Sequence, residues 1–269
     1  MTTPESSRRF QGTVADYQKY RLDYPARLTG RLAALMGLKP GDAVLDLGSG
    51  PGHLALAFAK AGMAVTALDP EPQMLAAARE AAAAEGLAID FQLRGSGDLT
   101  AADGPFRLVT IGRAFHWMDR TATLALLDRI VPPDGGVALF HDAHPPVDEN
   151  GWYRRFGKIS EKYGRARMAH VKERGEGGHR RYEPYLFASA FTEIDTLSVT
   201  IRQGLDEDAI VGRAYSTSVC AREALGTRAA DFEAELRAAL RELSPDGSFT
   251  EVAELVAVLA RRPEKTKGA

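Results

Sequence analysis

Short apolar runs alternate with alanine-rich amphipathic stretches between residues 41 and 140. The apolar runs are almost continuously hydrophobic, as expected for parallel strands that are covered on both faces. They predict five strands, at Ala43–Leu47, Ala64–Leu68, Ile89–Leu93, Leu108–Ile111 and Val137–Phe140. Strands that alternate with helices are typical of a parallel sheet with helices on both sides.

Three helices are predicted between these strands, from the period of their apolar residues. The first two, Leu54–Ala61 and Met74–Glu85, are each followed by a glycine, Gly62 or Gly86, which can adopt the left-handed conformation that ends a helix. The third is Leu124–Ile130. The pattern therefore predicts an α/β fold with a doubly wound, Rossmann-like sheet.

The pattern changes after the fifth strand. Residues 145–190 begin with a stretch rich in Arg, Lys, Gly and Tyr that has little periodicity and includes the glycine-rich segment Arg174–Gly178, so we expect a helical lid insertion there. Two more strand-like runs, Thr196–Ile201 and Leu255–Leu259, would complete a seven-stranded, mostly parallel sheet. Between them lies a helix with one apolar face, formed by Phe232, Leu236, Ala239, Leu240 and Leu243.

The chain is accordingly divided into four parts. They are an N-terminal cover segment (1–30), a cofactor-binding core (31–144), the lid that borders the acceptor (145–190), and a part that completes the sheet (191–269).

The strongest chemical motif is the segment VLDLGSGPGH, from Val44 to His53, in which an apolar strand enters a glycine-rich turn just before a helix. Glycine permits positive φ and a close approach between the backbone and a ligand. A dinucleotide fingerprint, G-x-G-x-x-G, would place its third glycine at position 53, where this chain has His53. The turn therefore predicts a nucleotide-type ligand other than a standard dinucleotide.

Two acidic residues flank this turn. Asp46 lies inside the strand that precedes it, where a carboxylate would repel a diphosphate and attract a ligand ammonium group. Asp69 ends the next strand, 21 residues after Gly48, the position from which a carboxylate accepts hydrogen bonds from ribose hydroxyls. The alternative for Asp69 is a helix cap. Together the acids favour a ligand that combines a ribose with an amino acid.

The composition of the chain limits which binding partners and which cellular compartment are expected. The 34 basic and 36 acidic residues give a net charge of −2, which disfavours a nucleic-acid or membrane partner. The single cysteine, Cys220, cannot form an internal disulfide, and neither an apolar leader nor a run of about 18 apolar residues occurs. We therefore expect a cytoplasmic protein with a small-molecule substrate; the oligomeric state is left open.

These motifs resemble the class I S-adenosylmethionine-dependent methyltransferases, over about residues 17–140. Val44–Gly52 is similar to the first motif of that family, and the sequence from Leu68 to Pro70 resembles its acidic second-strand end. The segments Tyr17–Pro25 and Ala114–Asp119 resemble the small-molecule branch that includes trans-aconitate methyltransferase-like enzymes. That branch usually has Arg-Pro where this chain has Arg-Leu, at positions 21 and 22.

The resemblance implies that S-adenosylmethionine is the cofactor and that the last strand is antiparallel. It also implies that Tyr20 and Arg21 close over the methionine end, that residues 97–99 border the adenine, and that residues 113–116 pass beneath the sulfonium. The full predicted cofactor-binding set is Tyr20, Arg21, Asp46, Gly48, Ser49, Gly50, Gly52, Asp69, Pro70, Met74, Gly97, Asp98, Leu99, Arg113, Ala114 and Phe115.

Several residues are candidates for the acceptor side. His116 follows the fourth strand and is a candidate general base, because an imidazole titrates near neutral pH; the alternative is a packing role beside Trp117. The predicted substrate-binding set is Tyr17, His116, Trp117, His141, His144, Arg154 and Tyr215.

Two polar clusters on the acceptor side each allow two interpretations. His141, Asp142 and His144 resemble a partial metal-ligand set, but their crowding on one loop favours substrate contact over metal. Cations of the lid such as Arg154 and Lys162 either receive an anionic substrate or form a solvated helix face.

The sequence therefore predicts a methyltransferase that acts on a small molecule, at an oxygen of a carboxylate or hydroxyl group. Three alternatives stay open. They are methylation at nitrogen or carbon, a nicotinamide-dependent oxidoreductase, and a non-catalytic protein that keeps the cofactor site.

Overall fold

The chain forms a mixed sheet with helices on both faces. In this computed structural model, residues 12–172 and 182–263 are described, without the side chains of residues 165–172. The described residues form seven strands: β1 (Ala43–Leu47), β2 (Ala64–Asp69), β3 (Ile89–Leu93), β4 (Leu108–Gly112), β5 (Gly136–Ala143), β6 (Glu193–Asp206) and β7 (Ser248–Arg261). Their order is β3-β2-β1-β4-β5-β7-β6. The first five strands are parallel, and β7 is antiparallel to β5 and β6. The predicted fold class is therefore confirmed.

The order of the strands reverses beside β1. Both β2 and β4 pair with β1, so the connections that leave β1 and β4 run to opposite sides. Ligands of doubly wound sheets bind at such a switch point, beyond the carboxyl ends of the strands. The glycine-rich turn after β1 lies at this point.

Ten α-helices surround the sheet in the part of the chain that the structure describes. They are α1 (Val14–Tyr20), α2 (Ala26–Leu35), α3 (His53–Lys60), α4 (Pro72–Ala84), α5 (Arg120–Ile130), α6 (Gly151–Lys172), α7 (Glu183–Phe187), α8 (Glu207–Tyr215), α9 (Arg222–Leu225) and α10 (Ala229–Leu243). Among them, no helix is both long and apolar enough to cross a membrane. The predicted glycine-rich segment Arg174–Gly178 lies outside the described residues.

Alternate side chains of the central strands fill two separate cores. Val44 and Leu108 belong to the core beneath α2 and α3, whereas Leu45 and Val109 belong to the core beneath α5 and α7. This alternation explains why the parallel strands are continuously apolar in sequence.

A third core lies within the helical cover and joins α6, α8 and α10. Trp152 and Ile159 of α6 pack with Ile210 of α8 and with Phe232 and Leu236 of α10. Four of the five residues predicted for the apolar face of α10 are therefore buried, but against other helices, and the fifth, Leu243, is exposed. The cover extends beyond the predicted lid, because α8 and α10 supply the apolar surface that α6 needs.

Candidate functional site

A cavity opens at the carboxyl ends of β1, β2 and β4, beside the glycine-rich turn. It is lined by Tyr17, Gly48, Gly50, Asp69, Pro70, Glu71, Met74, Gly95, Ser96, Gly112, Arg113, Ala114, Trp117 and Met118. A smaller recess continues from it and shares Tyr17, Gly48, Gly50, Gly112 and Arg113 with the cavity wall. The cavity thus has two ends, one beside Asp69 and one beneath α1.

The glycine-rich turn is held close to β2 and to the loop after β4. The amides of Gly48 and Ser49 both donate to the Leu68 carbonyl oxygen, at 2.8 and 2.9 Å. Gly48 has a φ of +72°, and a Cβ on it would lie 2.7 Å from the Cβ of Ala114. Only glycine fits this position without strain, since a side chain would meet both an unfavourable φ and a steric clash.

Asp69 connects the turn to the start of α4. Its Oδ2 accepts from the Gly50 amide at 2.8 Å, and its Oδ1 accepts from the Glu71 amide at 2.9 Å. Burial raises the pKa of Asp69 to about 6, although both hydrogen bonds act in the opposite direction. Each oxygen keeps further acceptor capacity, so the carboxylate can still receive ribose hydroxyls.

Glu71 is a cavity residue that the sequence did not predict. Its Oε1 caps α4 by accepting from the Gln73 amide at 3.4 Å. Its Oε2 is buried and has no hydrogen-bond partner among the described residues. A residue just before a helix suggests only a cap in sequence. The residue lines the cavity because it lies two residues after the carboxyl end of β2.

Asp46 lies at the floor of the recess and is almost completely buried. Its Oδ1 accepts from the Thr110 hydroxyl at 2.9 Å, and its Oδ2 accepts from the Ala55 amide at 3.0 Å. Burial raises the pKa of Asp46 to about 7. The carboxylate therefore holds β4 and the first turn of α3, and contact between it and a ligand ammonium stays a prediction.

Three other polar atoms of the recess are buried and unpartnered within the described chain. They are the Tyr24 hydroxyl, the Ser49 hydroxyl and His53 Nε2. The other ring nitrogen of His53, Nδ1, pairs with Asp23, which orients the imidazole. Since buried polar groups are normally hydrogen-bonded, these three atoms indicate a site for a polar group of a ligand.

Arg113 connects the recess to the N-terminal segment. It has a φ of +53°, forms an ion pair with Asp142, and donates from Nη2 to the Leu22 carbonyl oxygen at 2.9 Å. Its guanidinium also lies 4.6 Å from the centre of the Tyr24 ring. These contacts hold the segment between α1 and α2 against the carboxyl ends of β4 and β5.

Many of the predicted cofactor-binding residues lie together around this space. The cavity and the recess bring together Asp46, Gly48, Ser49, Gly50, Asp69, Pro70, Met74, Arg113 and Ala114. Gly95 and Ser96 line the wall, directly before the range 97–99 that is predicted to border the adenine. Leu99 is buried in the core, and Asp98 accepts from the Gly95 amide. Asp98 therefore stabilises the wall at Gly95, and a contact between residues 97–99 and the adenine stays a prediction.

Four other predicted cofactor residues lie outside the lining set. The Tyr20 ring packs on Gly212 of α8, and Phe115 is buried in the core against Tyr182. Gly52 begins α3 with a φ of +92°. Arg21 lies against the ring of Tyr17, on the cover side. Their roles in cofactor binding stay predictions.

The predicted acceptor residues are more widely dispersed. Tyr17 and Trp117 line the cavity, and the His116 ring lies beside Trp117, with the two centroids 4.6 Å apart. His141 lies near Tyr182, with 6.4 Å between the ring centroids. The structure therefore brings two of the seven predicted residues into the cavity wall and a third next to it.

His144, Arg154 and Tyr215 lie away from the cavity wall. The Nε2 atom of His144 is 2.6 Å from Oε1 of the buried Glu251. Arg154 is exposed and donates to the Val147 carbonyl oxygen. Tyr215 is buried in the core of the cover. Among the described residues, no group of three or more His, Cys, Asp or Glu could hold a metal ion.

Comparisons with known proteins agree with this geometry. Residues 44–135 match the family model of a methyltransferase domain. An uncharacterized methyltransferase of Mycobacterium tuberculosis is 31% identical over 153 residues, which are 56% of this chain and 58% of that protein. An uncharacterized methyltransferase of Schizosaccharomyces pombe is 25% identical over 158 residues, 58% of this chain and 60% of that protein. The chain thus spans less than two thirds of the length of either relative.

Solved structures share the fold at low sequence identity. The YcgJ protein of Bacillus subtilis has a TM-score of 0.56 and 19% identity, over 89% of this chain and 100% of that chain. A SAM-dependent methyltransferase from Thiobacillus denitrificans, in complex with S-adenosyl-L-homocysteine, has a TM-score of 0.53 and 19% identity, over 97% and 100%. Residues 44–135 thus match the methyltransferase domain family, within a fold shared with S-adenosylmethionine-dependent methyltransferases.

Proposed function

We propose that the protein transfers a methyl group from S-adenosylmethionine to an oxygen atom of a small acceptor, a carboxylate or a hydroxyl. The observation that carries the proposal is the pair of polar ends of the cavity. One end has Asp69 and the unpartnered Oε2 of Glu71, and the other has Asp46 with three unpartnered polar atoms. These two sets of polar groups fit a ligand that carries both a ribose and an amino acid.

Each end suits the group assigned to it. Ionised Asp69 and Glu71 accept hydrogen bonds, as ribose hydroxyls require. The hydroxyls of Tyr24 and Ser49 can donate to a carboxylate, and so can His53 when Nε2 carries a proton. The Asp46 carboxylate below them offers a negative charge to an ammonium group. The apolar part of the cavity wall, which includes Met74, suits the adenine ring.

The donor supplies a methyl group on a positively charged sulfur. In the transfer the bond between sulfur and the methyl carbon breaks, its electron pair stays on sulfur, and the acceptor oxygen supplies the pair for the new bond. The cavity wall includes Arg113, Ala114 and Trp117, and these residues position the acceptor oxygen next to the methyl group. Positioning supplies most of the rate enhancement for a reaction of this kind. A hydroxyl acceptor also needs a base, and His116 beside Trp117 is the candidate.

The choice of oxygen rests on the resemblance between the segments Tyr17–Pro25 and Ala114–Asp119 and the trans-aconitate methyltransferase-like branch. Tyr17 and Tyr24 of the first segment lie at the recess, and Trp117 of the second lines the cavity. Both segments therefore border the same space. The expected location is the cytoplasm, and the expected partner is a small molecule.

Calorimetric titration of the purified protein with S-adenosylhomocysteine tests the donor, with reduced nicotinamide dinucleotide as the competing ligand. We expect saturable heat from the first and none from the second. Formation of S-adenosylhomocysteine from S-adenosylmethionine is then measured with a panel of acids, alcohols and amines. Tight donor binding without turnover of any compound would support a non-catalytic protein, and turnover confined to amines would contradict methylation at oxygen.

A further inference from the structure

We propose that the acceptor is an anion bearing a single carboxylate near the reacting atom, and that the Arg21 guanidinium binds this carboxylate. The proposal rests on the proposed function, because it deepens the acceptor side of the same site. It assigns to Arg21 a ligand different from the methionine end of the donor, to which the family resemblance would assign it.

Arg21 is a guanidinium with incomplete hydrogen bonding. It follows the last residue of α1 and lies over the Tyr17 ring, 5.2 Å from the ring centroid. Its Nη2 donates a long hydrogen bond to the Ser216 carbonyl oxygen, at 3.4 Å. Its Nε is buried and has no hydrogen-bond partner in the described part of the chain. A guanidinium has five N–H donors, so most of its capacity is left for a ligand.

Arg113 and Arg213, whose charges act on Arg21, each already have a carboxylate partner. Asp142 forms an ion pair with Arg113. Glu251 accepts from Arg213, and it also lies 2.6 Å from His144. Three guanidinium groups therefore share two carboxylates. Removal of a charge from water without a counter-charge is costly, so this arrangement favours the arrival of one negative charge.

The electrostatic surroundings of Arg21 agree with this count. Burial lowers the pKa of Arg21, and the positive charges of Arg113 and Arg213 act in the same direction, while Tyr17 and Asp142 oppose them. One uncompensated positive charge matches a carboxylate better than a doubly charged phosphate. A guanidinium also offers a planar pair of donors, which fits the two oxygens of a carboxylate.

The carboxylate of the donor has other partners. The Tyr24 and Ser49 hydroxyls and His53 Nε2 converge on the recess, and Arg21 is absent from its lining residues. Arg21 lies over the ring of Tyr17, which lines both the recess and the main cavity, and it also contacts Ser216, the residue that follows α8 of the cover. An anion bound by Arg21 would therefore lie between the cover and the cavity.

The cations of the cover are less suited to this role. Arg154 is exposed. Nη1 of Arg155 lies 3.7 Å from Oε2 of Glu242, and Nζ of Lys162 lies 2.6 Å from Oε2 of Glu235. Exposed pairs of this kind contribute little energy and face solvent. Arg21 is partly buried and lacks a carboxylate partner among the residues described, so it is the better candidate.

The experiment compares small carboxylic acids with their primary amides as acceptors, each carrying a hydroxyl. Initial rates of S-adenosylhomocysteine formation are measured for the natural protein and for Arg21→Gln, Arg21→Lys and Arg31→Gln. Arg31 is an exposed arginine of α2 and serves as the matched control. Donor affinity is measured separately by calorimetry with S-adenosylhomocysteine.

We expect the natural protein and Arg31→Gln to favour acids over amides. In Arg21→Gln, kcat/KM for acids should fall by about 10-fold to 100-fold, the loss expected for a hydrogen-bonded charge pair, and rates with amides should change little. Arg21→Lys should recover part of the loss, and donor affinity should be unchanged in all variants.

Three outcomes would overturn the proposal. Equal use of acids and amides by the natural protein would remove the need for a cation. Binding of S-adenosylhomocysteine without turnover of any acid would do the same. Weaker binding of S-adenosylhomocysteine to Arg21→Gln would assign Arg21 to the donor carboxylate. A natural protein that does not bind S-adenosylhomocysteine would instead contradict the proposed function itself.

Discussion

The buried polar groups around the cavity and those in the helical cover differ in their hydrogen bonding. Around the recess, the hydroxyls of Tyr24 and Ser49 and one nitrogen of His53 have no partner among the described residues. In the cover, the Tyr215 hydroxyl donates to Glu233 at 2.8 Å, and Arg237 pairs with Glu233 and with two acids at the start of α8. These polar groups of the cover are satisfied by one another.

This difference separates binding from stability. An unsatisfied buried group costs free energy in the isolated protein and recovers it when a ligand supplies the missing partner. A satisfied group holds neighbouring elements together. Substitutions around the cavity should therefore change ligand affinity, whereas substitutions in the cover should change the free energy of unfolding.

The largest expected effect is on stability, at the contact between the cover and the sheet. Glu251 of β7 is fully buried and accepts from Arg213 of α8 and from Gln203 of β6. Glu251→Gln should lower the free energy of unfolding by about 3–5 kcal/mol, because it leaves the Arg213 charge uncompensated. Urea denaturation measures this loss. Glu242→Gln, at an exposed residue of α10, should change it by less than about 0.5 kcal/mol. A loss below about 1 kcal/mol for Glu251→Gln would contradict this role.

The second-largest expected effect is on ligand affinity, in the cavity region. Asp69→Ala should weaken the binding of S-adenosylhomocysteine by about 1.5–3 kcal/mol, because charged-group hydrogen bonds to the ribose are lost. Calorimetry gives this change directly. Asp90→Ala removes an exposed acid from the neighbouring strand β3 and should leave the affinity unchanged. Equal affinities in all three proteins would count against the ribose assignment.

The third effect is a pH dependence of the same binding. Burial raises the pKa of Asp69 to about 6 and that of Asp46 to about 7, above an unfolded value of about 3.9. The unfolded chain ionises these groups first, so they lower the stability of the ligand-free protein as pH rises from about 4 to 7. Ionised Asp69 accepts ribose hydroxyls, so affinity should increase through pH 6.

Titrations at pH 5 and pH 8 should differ by about tenfold in the dissociation constant for S-adenosylhomocysteine, the effect of protonating a group with a pKa near 6. The Asp69→Asn variant should bind S-adenosylhomocysteine more weakly than the natural protein at pH 8. Its affinity should also lose most of the pH dependence, since an amide does not titrate. A variant that retained the full dependence would show that another group is responsible.

The smallest effect is expected at Tyr215. Tyr215→Phe removes the hydrogen bond to Glu233 within the cover and should lower the free energy of unfolding by about 1 kcal/mol, without a change in kinetics. Thermal denaturation and steady-state rates check the two parts. An increased KM for the acceptor at unchanged stability would instead support the substrate contact that the sequence predicts.

The sheet could be predicted because its strands follow a simple physical pattern. The five parallel strands are covered on both faces, and their predicted bounds agree with the structure within one residue, except at the carboxyl end of β5. The antiparallel strands β6 and β7 are longer than predicted, at 14 residues each. Much of β6 is exposed, so polar residues such as Arg202 and Gln203 gave no strand pattern.

The part of the site that was predicted from the residues alone consists of short local motifs. Gly48 and Gly50 of the glycine-rich turn and the two acids lie at the cavity or its recess. Tyr24 reaches the recess through its contact with Arg113, which is distant in sequence. The second oxygen of Glu71 gains its place from the end of β2. Such placements depend on tertiary contacts, which periodicity does not contain.

A crystal structure of the protein with bound S-adenosylhomocysteine tests the central claim most directly. The account predicts ribose hydroxyls within hydrogen-bonding distance of the Asp69 carboxylate and the amino-acid end in the recess beside Tyr24 and His53. A ligand bound elsewhere, or one that leaves the recess empty, would contradict it.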